Sequence, residues 1–339
     1  MNGKLENEKR AERYFRTLTR LGYVLALFIG ICLGVSYSAW TLNPLLGFAV
    51  SLLSATTAFL FLALLEYRID RKYKGITSSR REYLIVALPV YAIMLLFVIT
   101  GLTWRTVLTY AVGTMVFVYM NATVILLLYA SFTLFPRMFR IRSKGLELED
   151  PKLVDKILGL AQKMDVKVER MIMLSRKKLK VANALQVGPR KFSIYISDYL
   201  IENFTPVQVE AVIAHELAHA KKRHLLKNLL FTLPFGLISM NLLLYSWVIR
   251  ANHISLIIAI ASIIFLLTVN IAITPLRRRL ELEADALSAK ALGNPEPMIS
   301  ALQRIGELNL IPTKYPRIIG WGLPHPSIET RIEKLRRLR

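Results

Sequence analysis

The chain is poorest in cysteine, in acid and, over long stretches, in charge of any kind. Cys32 is the only cysteine in 339 residues. An intrachain disulfide is therefore excluded, and a thiol lying inside an apolar run makes a poor nucleophile. Asp and Glu number 23 against 45 Lys and Arg, for a net charge of +22. Six stretches carry no charged side chain at all: Leu21–Trp40, Thr41–Leu65, Tyr83–Trp104, Thr106–Pro136, Asn228–Ile249 and Ala251–Leu276. Each reaches the roughly 20 residues that a helix needs to cross about 30 Å of hydrocarbon. They exclude an ordinary soluble chain and predict six transmembrane helices. The first is too long for a cleavable signal and is followed by no small-residue cleavage site.

The positive charge is unevenly placed. With a cytoplasmic N-terminus, the outward loops at 41–43, 102–105 and 250–253 carry only Arg105 and Arg250 as basic residues. All other Lys and Arg then face inward, as the positive-inside rule requires. Trp40, Trp104 and Trp247 fall at outer helix ends, where an aromatic belt belongs. Orientation and attraction to anionic lipid account for the basic excess, so a lipid bilayer is the expected partner and nucleic acid is not.

What is present is chemically pointed. His215-Glu216-Leu217-Ala218-His219 reads H-E-x-x-H in a segment that should be helical. Positions i and i+4 share a helix face, about 5–6 Å apart at Cβ, so both imidazoles can reach one zinc ion. Glu216 is rotated off that face and can act as general base toward a water polarised by the metal. A third ligand is needed. His224, five residues after His219, reads as a helix-surface or membrane-interface residue, and His253 lies on the outer side. Glu281 and Asp285 form a second i, i+4 pair. One carboxylate can bind zinc while the other accepts the free N–H of a ligating histidine. Glu283 points about 160° away from that face. The residues alone leave open whether Glu281 is a ligand or a solvated charge beside Arg277, Arg278 and Arg279.

The expected organisation is a cytoplasmic lead-in at 1–20, four transmembrane helices in 21–136, the first part of a catalytic domain at 137–227, a transmembrane hairpin at 228–275, and the second part of the catalytic domain at 276–339. Asp150-Pro151 reads as an N-cap with proline in the first turn. Met171–Ser175 is a short strand, and Val181–Val187 and Phe192–Ser197 form a β-hairpin around Gly188-Pro189-Arg190-Lys191. Thr205, Pro206 and Gln208 form a capping box for the motif helix. A charged helix should restart at Pro275.

H-E-x-x-H, then E-x-x-x-D after a membrane hairpin, then His325-Pro326 with Arg331 six residues past the histidine, with Asn183-Ala184 ahead of the motif helix: this set resembles the membrane zinc metallopeptidases that include the HtpX-type heat-shock proteases and the CAAX prenyl endopeptidases. The resemblance implies a multi-pass α-helical membrane protein with a split α+β zincin-like catalytic domain and one zinc ion per chain. It implies His215, His219 and Glu281 as ligands, Glu216 as base, and Asp285 as the acid behind a ligand. His325 would be a transition-state stabiliser with Arg331 nearby, and Asn183 and Ala184 would lie along the bound peptide. The CAAX enzymes have seven spans and the bacterial HtpX type has two before the catalytic segment; six and four are counted here.

The expected activity is a zinc metalloendopeptidase of the cell membrane, with N-terminus, catalytic domain and C-terminus cytoplasmic, cutting membrane-associated or misfolded polypeptides. Three alternatives stand beside it: processing of lipidated C-termini in the CAAX manner, an intramembrane protease, and a non-catalytic zinc-binding scaffold or transporter. Charge around the motif (Glu210, Lys221, Lys222, Arg223) argues against the intramembrane form.

Overall fold

The computed structural model describes residues 5–24, 43–88, 146–188, 191–248, 252–316 and 322–338, with a few isolated positions besides. The chain divides into two compact units, one of residues 1–144 with 178–180, the other of 145–177 with 181–339.

In the first unit, helix α1 covers 5–24, α2 covers Pro44–Tyr73, and α3 starts at 80 and is described to 88. Asp70 near the end of α2 ties the three together. Tyr14 Oη donates to its Oδ1 at 2.6 Å, Tyr83 Oη donates to its Oδ2 at 3.1 Å, and Lys74 Nζ lies 3.3 Å from Oδ1. Such a carboxylate can be buried because every partner is a donor. The remainder of the expected first and third spans, and the fourth apart from isolated positions, lie outside the described residues.

The second unit begins with strand β1 (Leu146–Glu147), helix α4 (Pro151–Lys163) and strand β2 (Val168–Leu174). Asp150 caps α4 by accepting from the N–H groups of Lys152 and Leu153. Leu153, Ile157 and Ala161 recur at helical spacing and face the core. Strands β3 (Ala184–Val187) and β4 (Phe192–Ser197) make the hairpin. At its turn Gly188 has φ +145°, and a Cβ there would meet the Lys191 carbonyl at 2.0 Å, so only glycine fits. The sheet order is β1-β2-β4-β3, with β2 parallel to β4 and the other pairs antiparallel. Thus β3 is an edge. Ser197 N–H donates to Asn183 C=O, which sets the phase. Leu185 and Val187 exchange bonds with β4, and the main-chain groups of Ala184 and Gln186 face the open side.

Helix α5 (Asp198–Asn203) leads into α6 (Pro206–Lys221), which opens on the expected capping box of Thr205 and Gln208. The motif helix α6 is apolar nearly all round. Ile213 and Leu217 are fully buried, and Ala211, Ala214 and Ala218 let neighbours approach closely. Burial of each large side chain contributes about 1.5–3 kcal/mol. A helix enclosed in this way holds its two histidines in one fixed setting.

Helices α7 (His224–Val248) and α8 (Asn252–Leu292) form the hairpin that interrupts the unit. Among the described residues three helices are long and apolar enough to cross a membrane, at 49–73, 224–242 and 260–292. The expectation of a fresh helix at Pro275 is corrected. Helix α8 runs 41 residues without a break, with Pro275 inside it. Proline removes one intrahelical bond there, and the helix is held on either side, by Ser239 Oγ donating to Ser262 C=O at 2.8 Å and by Arg277 Nε donating to Asn228 Oδ1 at 3.0 Å. At 1.5 Å per residue α8 is roughly 60 Å long, about twice what hydrocarbon needs. Its far end projects into the catalytic region. Helices α9 (Glu296–Asn309) and α10 (Ile328–Arg336) close the unit around Met298, Leu302 and Leu335.

Candidate active site

The site forms where α6 meets the last turns of α8. On α6 the Nε2 atoms of His215 and His219 lie 3.1 Å apart. Glu281 brings Oε1 to 3.4 Å from His219 Nε2 and Oε2 to 3.7 Å from His215 Nε2. These three residues form a cluster able to hold a metal ion. A tetrahedral ion with bonds of about 2.0–2.1 Å keeps its ligand atoms about 3.3 Å apart, so these spacings fit zinc. The donor set of two imidazoles and one carboxylate, with one position left over, is that of catalytic rather than structural zinc.

Behind His215 stands Asp285, whose Oδ1 is 3.0 Å from His215 Nδ1. His215 Nδ1 makes no hydrogen bond in this arrangement, so the pair is a charge contact. Asp285 is 2% exposed and is gripped by Arg331 of α10, with Nε donating to Oδ2 at 2.8 Å and Nη2 to Oδ1 at 2.6 Å. Arg331 Nη1 also lies 3.9 Å from Glu281 Oε2. Burial alone would lower the His215 pKa, yet Asp285 outweighs it and the ring is held above the usual histidine range. His219 faces the Glu281 carboxylate through Nε2, and that charge raises its pKa without prevailing. Burial, with the neighbouring His215, pushes its pKa down to about 3, which favours the neutral ring.

Glu216 is pushed up to about 7, first by burial. The charge of Glu281 adds to this, while His215 and the main-chain N–H of Gln186 on β3 pull the other way. A carboxyl poised near neutrality suits proton transfer in either direction. His325 is 60% exposed and places Nδ1 3.1 Å from Glu281 Oε2. Its loop is held by Arg278 of α8, which donates through Nε to Leu323 C=O at 3.3 Å and through Nη2 to Gly320 C=O.

The family model for peptidase family M48 matches residues 147–339. The chain belongs to peptidase family M48. A protease HtpX homolog of Janthinobacterium sp. (strain Marseille) is 28% identical over 215 residues, which cover 55% of this chain and 71% of that protein. Protease HtpX of Legionella pneumophila (strain Corby) is 30% identical over 137 residues, 38% of this chain and 49% of that one. The crystal structure of S. mikatae Ste24p shares the fold, with a TM-score of 0.79 at 16% identity, covering 97% of this chain and 88% of that one. Membership makes this chain a membrane metallopeptidase acting on polypeptides, in a family whose peptidases depend on zinc.

Three residues of this M48 chain take part at the site without a sequence pattern that marks them. His224 is not a surface residue: it is 3% exposed and meets His219, with Glu283 beyond it. Asn309, at the end of α9, accepts from Ala182 N–H at 3.0 Å and donates to Ala182 C=O at 2.7 Å. Its side-chain amide thereby occupies the open edge just before β3. With Gln186 N–H directed at Glu216, the main chain of Ala184 lies between them and faces the open side, where among the described residues it meets no hydrogen-bond partner. Asn183 is exposed at the start of that edge. Arg278, which the sequence offers only as a neighbour of Glu281, is the tether of the His325 loop. None of the three sits in a spacing pattern that marks a site.

Proposed function

We propose that this chain is a zinc metalloendopeptidase with one zinc ion per chain, working at the cytoplasmic face of a membrane on membrane-associated or misfolded polypeptides. The observation that carries the reading is the convergence of His215, His219 and Glu281 at zinc spacing beside the buried Glu216. Zinc bound there would supply Lewis acidity and lower the pKa of a water from about 16 toward 7. Glu216, buried beside that cluster, would accept a proton from a water and return it to the leaving amine. His325, at the mouth, donates a hydrogen bond to the oxyanion that develops on the scissile carbonyl. Asp285 and Arg331 hold the His215 ring.

An extended peptide would pair with the open edge of β3 at Ala184, alongside Asn183. Main-chain pairing ignores side-chain identity, which supports loose sequence preference governed by access. The hairpin of α7 and α8 would keep the site at the bilayer and raise the effective concentration of membrane-borne substrates. Cytoplasmic orientation rests on the distribution of Lys and Arg. Processing of lipidated C-termini is a second reading compatible with membership of this family.

The deciding experiment compares wild type with Glu216→Gln in a mixed membrane proteome and maps cleavage sites by mass spectrometry. Glu216→Gln is expected to keep zinc and lose hydrolysis. Many unrelated sites support quality control, and one C-terminal rule supports processing. Full turnover by the purified variant would remove Glu216 from the mechanism.

A further inference from the structure

A histidine that binds a cation through Nε2 carries its proton on Nδ1, and that proton needs an acceptor. Asp285 stands in that place for His215. For His219 the atom facing Nδ1 is Nδ1 of His224, at 2.8 Å. His224 Nε2 lies 3.3 Å from Glu283 Oε2, and Glu283 Oε1 lies 2.8 Å from Lys222 Nζ. An ionised carboxylate only accepts, and this fixes the direction of the whole chain. His224 holds its proton on Nε2 for Glu283, its Nδ1 is an acceptor, and His219 Nδ1 donates to it. His219 Nε2 is left with a bare lone pair, facing His215 Nε2 and Glu281 Oε1. The reverse order would put a proton on His219 Nε2 and close that position to a cation.

The backbone is shaped for this contact. On an unbroken helix a residue five positions on is about 140° off the face. Here α6 ends at Lys221, Arg223 takes φ +50°, and α7 starts at His224. A left-handed residue that is not glycine redirects the chain, and the His224 ring returns to the His219 ring, with centroids 4.9 Å apart.

We propose that His224, oriented by Glu283, is a positioning residue that sets the tautomer of the second metal ligand. The proposal rests on reading the His215–His219–Glu281 cluster as the zinc site. Its test is the zinc affinity of the full-length protein in detergent, read at one pH by competition with a chromogenic chelator, with the melting temperature of each zinc-free form alongside. His224→Leu removes the acceptor, and affinity is expected to fall about 10- to 100-fold. In His224→Asn the amide oxygen stands in for Nδ1, and affinity should return to within about threefold of wild type. Glu283→Ala, at a partly exposed position, should weaken binding by an intermediate factor. Cobalt substitution adds a signature. The shifted, exchangeable Nδ1–H signals of both ligands should persist in wild type and His224→Asn, and that of His219 should broaden by solvent exchange in His224→Leu.

Equal affinity in wild type and His224→Leu overturns the proposal. So does an equal loss in His224→Leu and His224→Asn, which would make His224 a packing residue. Should His224→Leu not fold, unchanged affinity in Glu283→Ala overturns it instead. A wild-type chain that holds no zinc overturns the zinc reading itself, and this inference with it.

Discussion

His215 and His219 share a helix face, yet they are backed in unlike ways. Behind His215 are Asp285 and Arg331, joined by two hydrogen bonds and almost wholly enclosed. Behind His219 are His224, Glu283 and Lys222, the last two more than a third exposed. The inner support draws on α6, α8 and α10, so it exists only when the whole unit is assembled. The outer support is half local, with two members flanking the left-handed Arg223. A buried ion pair has no water to fall back on when one partner goes, whereas an exposed one does. The two arms should therefore fail differently, the inner through stability as well as zinc affinity and the outer through zinc affinity alone.

The harshest way to break the comparison is to take away a ligand. Glu281→Ala leaves two protein donors, and zinc content, read by atomic absorption on purified protein, should drop from one per chain to near zero together with hydrolysis. Next comes Asp285→Ala, which strands the buried Arg331 charge and should cost roughly 3–5 kcal/mol, seen as a large fall in melting temperature. The double variant Asp285→Leu with Arg331→Met sharpens the point. It should recover most of that stability while zinc affinity stays weak, and joint recovery would mean that Asp285 does nothing for His215. Gly188→Ala lies outside both arms. Its Cβ collides with the Lys191 carbonyl, so about 1–3 kcal/mol should be lost, with zinc affinity in the folded fraction unchanged. Smallest is Lys222→Ala, where an exposed pair is broken. Stability should move by under about 1 kcal/mol and zinc affinity by about twofold at most.

Legibility followed the range of the interaction involved. The i, i+4 pairs His215/His219 and Glu281/Asp285, the Thr205–Gln208 capping box and the Asp150 cap depend on neighbours within one or two turns, and residue spacing displays them. Strand β1 and helix α5 are too short to show a period. At Pro275 a breaker signal met a helix secured by packing against α7, and the packing prevailed. His224 comes back to His219 only because the motif helix ends at Lys221 and the chain turns at Arg223. Residue types do not announce that Arg223 turns left-handed.

Local pattern was enough to place two imidazoles and a carboxylate on one helix, and to require long apolar helices on either side, because backbone periodicity and transfer out of water act on each segment separately. It could not bring Glu281 to those imidazoles, close β3 with Asn309 at one end and Glu216 at the other, or turn His224 back onto His219. Those arrangements arise when α8 runs unbroken out of the hairpin and seats against α6. They depend on contacts between segments far apart in the chain, which no single stretch of residues encodes.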